Sequence, residues 1–420
     1  MIKSEETKQK IRQSRQQTRE KRKSQVVKVY SLKVDESHLN RIQKEWLNKI
    51  FIEAKWFYNY VLQQEDIFNP KIRNVRKVQV KMLDHFEERE LQYLGSHMKR
   101  GIHEHICDSI KSLSTLKKRS HKIGKLKYKS EINSIPLPTF GHTWDIQNGR
   151  IRVQLLKKTL PVMGLEQIPS GCEFANANFI RKPSGYYVQV TTFQPKVSRI
   201  KTGREVGLDF GIKDNIVTSD GKRFNIKVPE TQRLKKLQKR YNKKKKGSKQ
   251  RYKVKHQIKK EYEKIGNQKQ DQINKIVFYL NKTYDHIFIQ DEMIKQWQSG
   301  WFGKQIQQSA MGAIKSKLKS LQSVSIIERS FPTTRFCYNC GALHDKLPLS
   351  ERVFKCDCGL VEDRDVKAAK TVLYVGKHKI PGAEYISTPL ENQASIQIES
   401  DFNLDKLDSL KEAAIILEMK

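Results

Sequence analysis

Four cysteines crowd into one short stretch of this chain, as Cys337-Tyr-Asn-Cys340-Gly and Cys356-Asp-Cys358-Gly. Two such pairs joined by a loop suit tetrahedral coordination of one Zn²⁺ by four thiolates, which ties this stretch into a compact ribbon. The second pair is C-x-C rather than the commoner C-x2-C, so its geometry is tighter. Four thiolates leave no open position on the ion, so the ribbon reads as a scaffold or a nucleic-acid contact and not as a reaction centre. Metal ligation in a reducing compartment suits this clustering better than disulfides. The two remaining cysteines, Cys107 and Cys172, read as ordinary core or surface thiols.

Charge narrows the partner. The chain carries 82 Lys and Arg against 45 Asp and Glu, a formal charge of +37 spread over 420 residues. That excess is too broad for one basic tail and points to a polyanion. No apolar run approaches the roughly 18 residues that a membrane span needs, which leaves nucleic acid. The first 28 residues are rich in Lys, Arg, Gln and Ser without a hydrophobic stretch, unlike a secretory signal, and the expected location is the cytoplasm.

At this length the chain has room for two or three domains. Residues 1–25 read as a basic arm, disordered or weakly helical, and equally as a solvated charge run or a nucleic-acid contact. Val26 to Val34 alternates like a half-buried strand, and Leu47, Ile50, Ala54, Phe57 and Val61 line one face of a helix. A second helix near Ile102 to Leu116 carries His103, His105 and Cys107, for which an apolar helix with polar partners is a better account than a metal site. Strand patterns at Ile151–Leu155, Phe174–Ile180 and Gly185–Phe193 suggest a small β domain completed by Val26 to Val34. From Val206 the pattern changes to a hairpin turned at Asp220-Gly221. Two basic helices follow over 231–284, broken at Lys243–Lys249, with Leu234, Leu237, Tyr241, Ile258, Tyr262, Ile265, Ile273 and Ile276 on the packing side. The tail beyond Gly376 turns acidic and loses periodicity until Leu404 to Leu417, as a disordered segment or a guard over a basic channel does.

Three acids sit where a carboxylate needs a reason. Asp209 interrupts the apolar run Val206-Gly-Leu-Asp-Phe-Gly211, Asp291-Glu292 ends the apolar run from His286, and Glu362-Asp-Arg-Asp365 precedes the helix pattern Val366-Lys-Ala-Ala-Lys-Thr-Val-Leu. A buried carboxylate is unfavourable unless a proton or cation compensates it. Acids at two strand ends and a helix start suit two Mg²⁺ ions about 4 Å apart, which can make a hydroxide and stabilise both oxygens of a phosphodiester displacement. Mg²⁺ takes carboxylate and water oxygens, so no histidine is required. Singly, each acid has a plainer account: a turn, an exposed strand end, or a helix cap at Asp363 or Asp365.

The ordered set Gly207-Leu-Asp-Phe-Gly211, Ile287-Phe-Ile-Gln-Asp-Glu292, Thr333-Thr-Arg-Phe-Cys-Tyr-Asn-Cys-Gly341, Cys356-Asp-Cys-Gly359 and Asp365-Val-Lys-Ala-Ala-Lys370 resembles the TnpB family of insertion-sequence proteins and the related miniature type V CRISPR effectors. The match runs from about residue 204 to 376; the N-terminal half agrees in composition and layout. The resemblance implies an α/β fold with β and α parts: a split RuvC, ribonuclease H-like nuclease over 204–334 and 361–376, with a zinc ribbon at 335–360 inserted. Before it would come a β-barrel-like wedge over 26–35 and 130–198 holding a helical recognition domain at 36–129, and after it a tail at 377–420.

It further implies an Mg²⁺-dependent DNA endonuclease directed by a guide RNA to double-stranded target DNA; the oligomeric state stays open between monomer and dimer. The metal acids would be Asp209, Glu292 and Asp365, with Cys337, Cys340, Cys356 and Cys358 on zinc. Many relatives place a glutamate directly after the strand where Gln290 stands here, so Asp291 is a substitute for Glu292. Asn267 and Lys269 match a polar pair facing nucleic acid, with Lys where Arg is frequent. Two other readings stay open: a nuclease-inactive RNA-guided DNA binder acting as a repressor, and an RNA-independent transposase on the same fold.

Overall fold

The computed structural model describes residues 5–82, 85–196, 201–226, 228–348, 350–378 and 386–387. Contacts divide the chain into two units, parted between Ser198 and Arg199. The expected tail lies outside the described residues, apart from 377–378 and 386–387.

The first unit begins with helix α1 (Glu5–Lys23). Sequence reading left this arm disordered or weakly helical. Its run of Glu, Gln, Lys and Arg lacks glycine and proline and favours helix, and Arg22 ties the end down. The Arg22 guanidinium donates to Glu173 at 2.9 Å and lies 3.4 Å over the Phe193 ring. Strand β1 (Gln25–Val34) leads to helix α2 (Arg41–Val61), started by a capping box between Asn40 and Gln43. A hairpin not expected from the sequence, β2 (Lys77–Lys81) with β3 (Phe86–Glu90), precedes helix α3 (Ser96–Lys118). Strands β4 (Ser134–Leu137), β5 (Trp144–Gln147), β6 (Arg150–Val153), β7 (Leu160–Met163), β8 (Glu173–Lys182) and β9 (Gly185–Pro195) join β1 in one antiparallel sheet, ordered β4-β8-β9-β1-β7-β6-β5. The α2 rings Trp46 and Phe51 lie 5.7 and 5.4 Å from Phe179 of β8, sealing α2 to the sheet. His103 is a satisfied core histidine, with its Nε2 2.6 Å from the Ile67 carbonyl and Arg73 donating to its Nδ1 at 2.9 Å.

The second unit opens with β10 (Glu205–Asp209), β11 (Ile216–Thr218) and β12 (Arg223–Phe224), turned at Gly221 with φ +87°. Helices α4 (Gln232–Asn242) and α5 (Lys249–Thr283) cross to β13 (His286–Gln290). Tyr262 of α5 is exposed rather than packed inward, and its hydroxyl accepts from Gln238 at 2.9 Å, so its polar end bridges the two helices instead. Helices α6 (Ile294–Gln298), α7 (Gly303–Ser309) and α8 (Met311–Lys319) cross to β14 (Val324–Ile327). A small hairpin, β15 (Val353–Lys355) and β16 (Val361–Asp363), feeds helix α9 (Arg364–His378), and β17 (Ile386–Ser387) adds an edge.

The main sheet runs β12-β11-β10-β13-β14-β17, with β10, β13 and β14 parallel. Parallel neighbours require crossover helices, and those helices bury both faces. Ile287 and Ile289 join the core with Leu280, Ile314 and Leu318, whereas Phe288, one residue out of phase, packs with Val372 and Val375 of α9. Among the described residues no helix is long and apolar enough to cross a membrane.

Candidate active site and cysteine cluster

Leu208 of β10 stands opposite Ile289 of parallel β13, so both strands leave the sheet at the same edge. Asp209 is the last residue of β10, and Glu292 comes two residues after β13 ends. Such carboxyl ends of adjacent parallel strands form the crevice where open α/β sheets bind ligands. The third acid arrives with α9, which lies directly on β10. A Cβ at Gly207 would stand 2.1 Å from the Ala369 carbonyl oxygen and 2.6 Å from the Leu373 nitrogen, so only glycine permits this approach. Asp363 caps α9, accepting from the backbone N–H of Asp365 and Val366 at 3.1 Å each, which leaves the Asp365 carboxylate out of the cap.

Burial holds the Asp209 carboxyl well above the usual carboxylate range, and the negative charges of Glu292 and Asp365 push it further, against an opposing pull from Arg364. Three segments distant in sequence thus share one field. Burial also raises Glu292 to about 7, opposed by Lys315. Its Oε2 is buried without a hydrogen-bond partner among the described residues.

Asp291 differs from its neighbour. Burial works to raise its carboxyl, but the Lys319 hydrogen bond and the charges of Lys319, Lys315 and Arg329 outweigh burial and hold it below the usual range. Lys319 lies 2.7 Å and Arg329 3.1 Å from its oxygens. Lys315, itself buried, donates at 2.7 Å to the Glu292 carbonyl. Sequence reading missed Lys315, although a lysine on the buried face of α8 with Met311, Ile314 and Leu318 was the available signal. Arg223 was missed too; it bridges Asp214 at 2.6 Å and Asp363 at 3.0 Å and stands 4.0 Å from Asp365. Lys269 donates to the Gln307 carbonyl at 3.3 Å, and Asn267 is exposed on α5.

The acid set fits a hard divalent cation: its donors are all carboxylate, one buried oxygen has no partner, and like charges are gathered. The three acids do not converge as one tight group, since among the described residues only the four cysteines bring three or more donor atoms within 4.8 Å of one another. Two ions about 4 Å apart need a wider set of ligands than one ion does.

Gln290 has a separate task. Its amide donates to the carbonyls of Glu328, Arg329 and Phe331 at 3.2, 3.1 and 2.7 Å, and its oxygen accepts from the Thr333 hydroxyl at 3.2 Å. Lys367 of α9, also fully buried, donates to the Thr333 carbonyl at 3.1 Å and lies 3.9 Å over the Phe354 ring. Thr333 is therefore gripped from both acid-bearing elements just before the cysteines begin.

Cys337 and Cys358 place their sulfurs 3.7 Å apart, and Cys340 and Cys356 theirs 3.6 Å apart. A tetrahedron with 2.3 Å Zn–S bonds has edges of about 3.8 Å, so the four thiols can hold Zn²⁺. Each pair closes as a turn, with Gly341 N–H on the Cys337 carbonyl and Gly359 N–H on the Cys356 carbonyl, both at 2.9 Å. Gly341 and Gly359 have φ of +79° and +89°, which explains glycine after each pair. The His344 Nε2, not expected from the sequence, lies 3.1 Å from the Cys356 sulfur.

Comparison with known proteins bears on both features. The family model described as "Probable transposase" matches residues 187–296, and that described as "Cas12f1-like, TNB domain" matches residues 312–372. A Streptomyces pristinaespiralis protein named as an RNA-guided DNA endonuclease is 27% identical over 244 residues, 56% of this chain and 60% of that protein. Two TnpB-like proteins of Acanthamoeba polyphaga mimivirus are each 25% identical over 224 residues, 46% of this chain and 41% of theirs. The chain is similar to TnpB-like proteins. The chain spans less than two thirds of the length of these relatives, 60% of the endonuclease and 41% of the TnpB-like proteins. A cryo-EM structure titled as a Cas12f1–sgRNA–target DNA complex aligns at a TM-score of 0.46 and 12% identity, covering 86% of this chain and all of that one, a likeness too loose to carry an argument.

Proposed function

We propose that this chain is an RNA-guided DNA endonuclease whose cutting site is formed by Asp209, Glu292 and Asp365. The observation that carries the reading is geometric: Asp209 and Glu292 stand at the carboxyl ends of adjacent parallel strands, and the helix that begins with Arg364-Asp365 lies directly on β10 at Gly207, so that Asp209 is pushed up by both partners. In this reading residues 204–334 and 361–376 form a split ribonuclease H-like, RuvC-type domain interrupted by a structural zinc ribbon at 335–360. Residues 26–35 and 130–198 serve as the wedge around a recognition segment at 36–129. When bound, a pair of Mg²⁺ ions supplies an activated water and neutralises charge on the phosphodiester. Glu292 presents a buried carboxylate oxygen free for a metal, while Asp291 is held by Lys319 and Arg329. Gln290 clamps the lead into the ribbon.

The name of the Streptomyces relative supports guide RNA and target DNA as partners. The test is to purify the full chain from cells, sequence any RNA it retains, and offer matched DNA in Mg²⁺ or EDTA. We expect cleavage in Mg²⁺ only, lost by at least a hundredfold in Asp209→Ala and in Asp365→Ala; undiminished cutting by either variant contradicts the site. The description "Probable transposase" favours a second reading, strand transfer without RNA, which the same purification supports if no RNA is found and transposon ends are joined.

A further inference from the structure

Trp301 is fully exposed, and Phe302 beside it is half exposed. Large aromatic side chains rarely stand in water without a partner, and here the backbone holds them there. Gly303 packs so tightly that a Cβ would lie 2.1 Å from the Gln298 carbonyl oxygen. Further bonds run from the N–H of Gly300 to the Trp297 carbonyl and from that of Gly303 to the Gly300 carbonyl. On either side, Ile294 of α6 and Ile306 of α7 are buried in the core. The aromatic pair therefore rides on a braced turn, only nine residues beyond Glu292 in the chain.

The charge around the turn indicates what covers it. From Met293 to Ile327 the chain contains no aspartate or glutamate, and Lys295 and Lys304 flank the turn in sequence, whereas Lys315 and Lys319 are already engaged by Glu292 and Asp291. An acid-free, lysine-bearing segment with an exposed tryptophan suits a ligand that is both anionic and flat-faced. Unpaired nucleotides meet both needs: their phosphates answer the lysines, and their bases stack on aromatic rings regardless of sequence. A protein partner explains the aromatics but not the absence of acids, and an intact duplex keeps its base faces covered.

We propose that Trp301, with Phe302, is a stacking platform for single-stranded DNA on its way to the acid site. The assignment to DNA rests on the nuclease reading above, through the short connection from Glu292 to the turn; the stacking itself does not. Trp301 is a strand-binding residue with no part in the chemistry.

The full chain is titrated with oligothymidylate of about 16 nucleotides while tryptophan emission is followed, beside oligouridylate and a duplex of equal length. We expect saturable quenching in the parent and its loss in Trp301→Phe, because that variant removes the reporting indole. Affinity should fall about five- to a hundredfold in Trp301→Ala and should be largely kept in Trp301→Phe, which retains a ring. Circular dichroism of both variants should match the parent, since the side chain is fully exposed among the described residues.

Parent affinity in Trp301→Ala overturns the proposal, as does quenching that persists in Trp301→Phe. A loss confined to oligouridylate assigns the platform to RNA and overturns the DNA assignment; an equal loss on the duplex overturns stacking. Asp209→Ala separates the two readings, for it should keep the quench. If the parent fails to cut but its quench still depends on Trp301, the nuclease reading falls and the platform stands. If the parent cuts and Trp301→Ala binds single strands as tightly, the platform alone falls.

Discussion

Adjacent carboxylates can have opposite fates, and Asp291 and Glu292 do. Asp291 is held as an anion by Lys319, Lys315 and Arg329, while the Glu292 carboxyl is raised to about 7 with one oxygen unpartnered. Glu292→Gln should therefore lower cleavage at least a hundredfold with little loss of stability. Asp291→Asn should do the reverse, leaving three cations poorly compensated: a lower urea midpoint and cleavage within about tenfold of the parent. Equal cleavage by the two variants would contradict the division of labour. The raised carboxyls also set a pH dependence. Because Glu292 titrates near 7 in the fold against 4.5 as its ordinary value, the folded chain binds more protons than the unfolded chain between those limits. Stability without added metal should fall as pH rises through that window, and the fall should be smaller in Glu292→Gln; urea unfolding at pH 5 and 7.5 measures both. None of this was legible in the letters Gln290-Asp-Glu292, which left the middle acid open, because the cations that distinguish the two come from α8 and from the chain after β14.

At the level of elements, the acid site depends on α9 lying on β10. The contact at Gly207 leaves no room for a methyl group, so Gly207→Ala must lift the helix and move Asp365 away from Asp209. Overpacking of this kind costs about 1–3 kcal/mol. Urea unfolding should report that loss, and cleavage should fall further than the fraction unfolded accounts for; a variant that cuts in proportion to its folded fraction would refute the link. Strand and helix periodicity in the sequence marks β10, β13 and the start of α9. The hairpin β2–β3 escaped notice, because short charged strands such as Phe86–Glu90 carry little apolar alternation. The helicity of α1 was underestimated for a related reason: its anchor, Glu173, lies 151 residues away along the chain.

Across the whole molecule the charge of +37 favours a polyanionic partner. Binding to non-specific DNA should weaken tenfold or more between about 50 and 200 mM salt, as counterion release requires, and fluorescence anisotropy at several salt concentrations tests it; a flat response would argue against a phosphate-tracking surface. That charge, the four thiols with their following glycines, and the three acids in apolar or capping contexts were all readable from the chain alone. Each depends on spacing within a few residues or on a simple sum, and folding cannot alter either. Tertiary structure alone decided that Asp209 feels Glu292 and Asp365, that Asp363 rather than Asp365 caps α9, that Gln290 and Lys367 both grip Thr333, and that Trp301 stands in solvent. These depend on which surfaces meet across scores of residues, and parallel strands joined by long crossovers leave that pairing unmarked in local sequence.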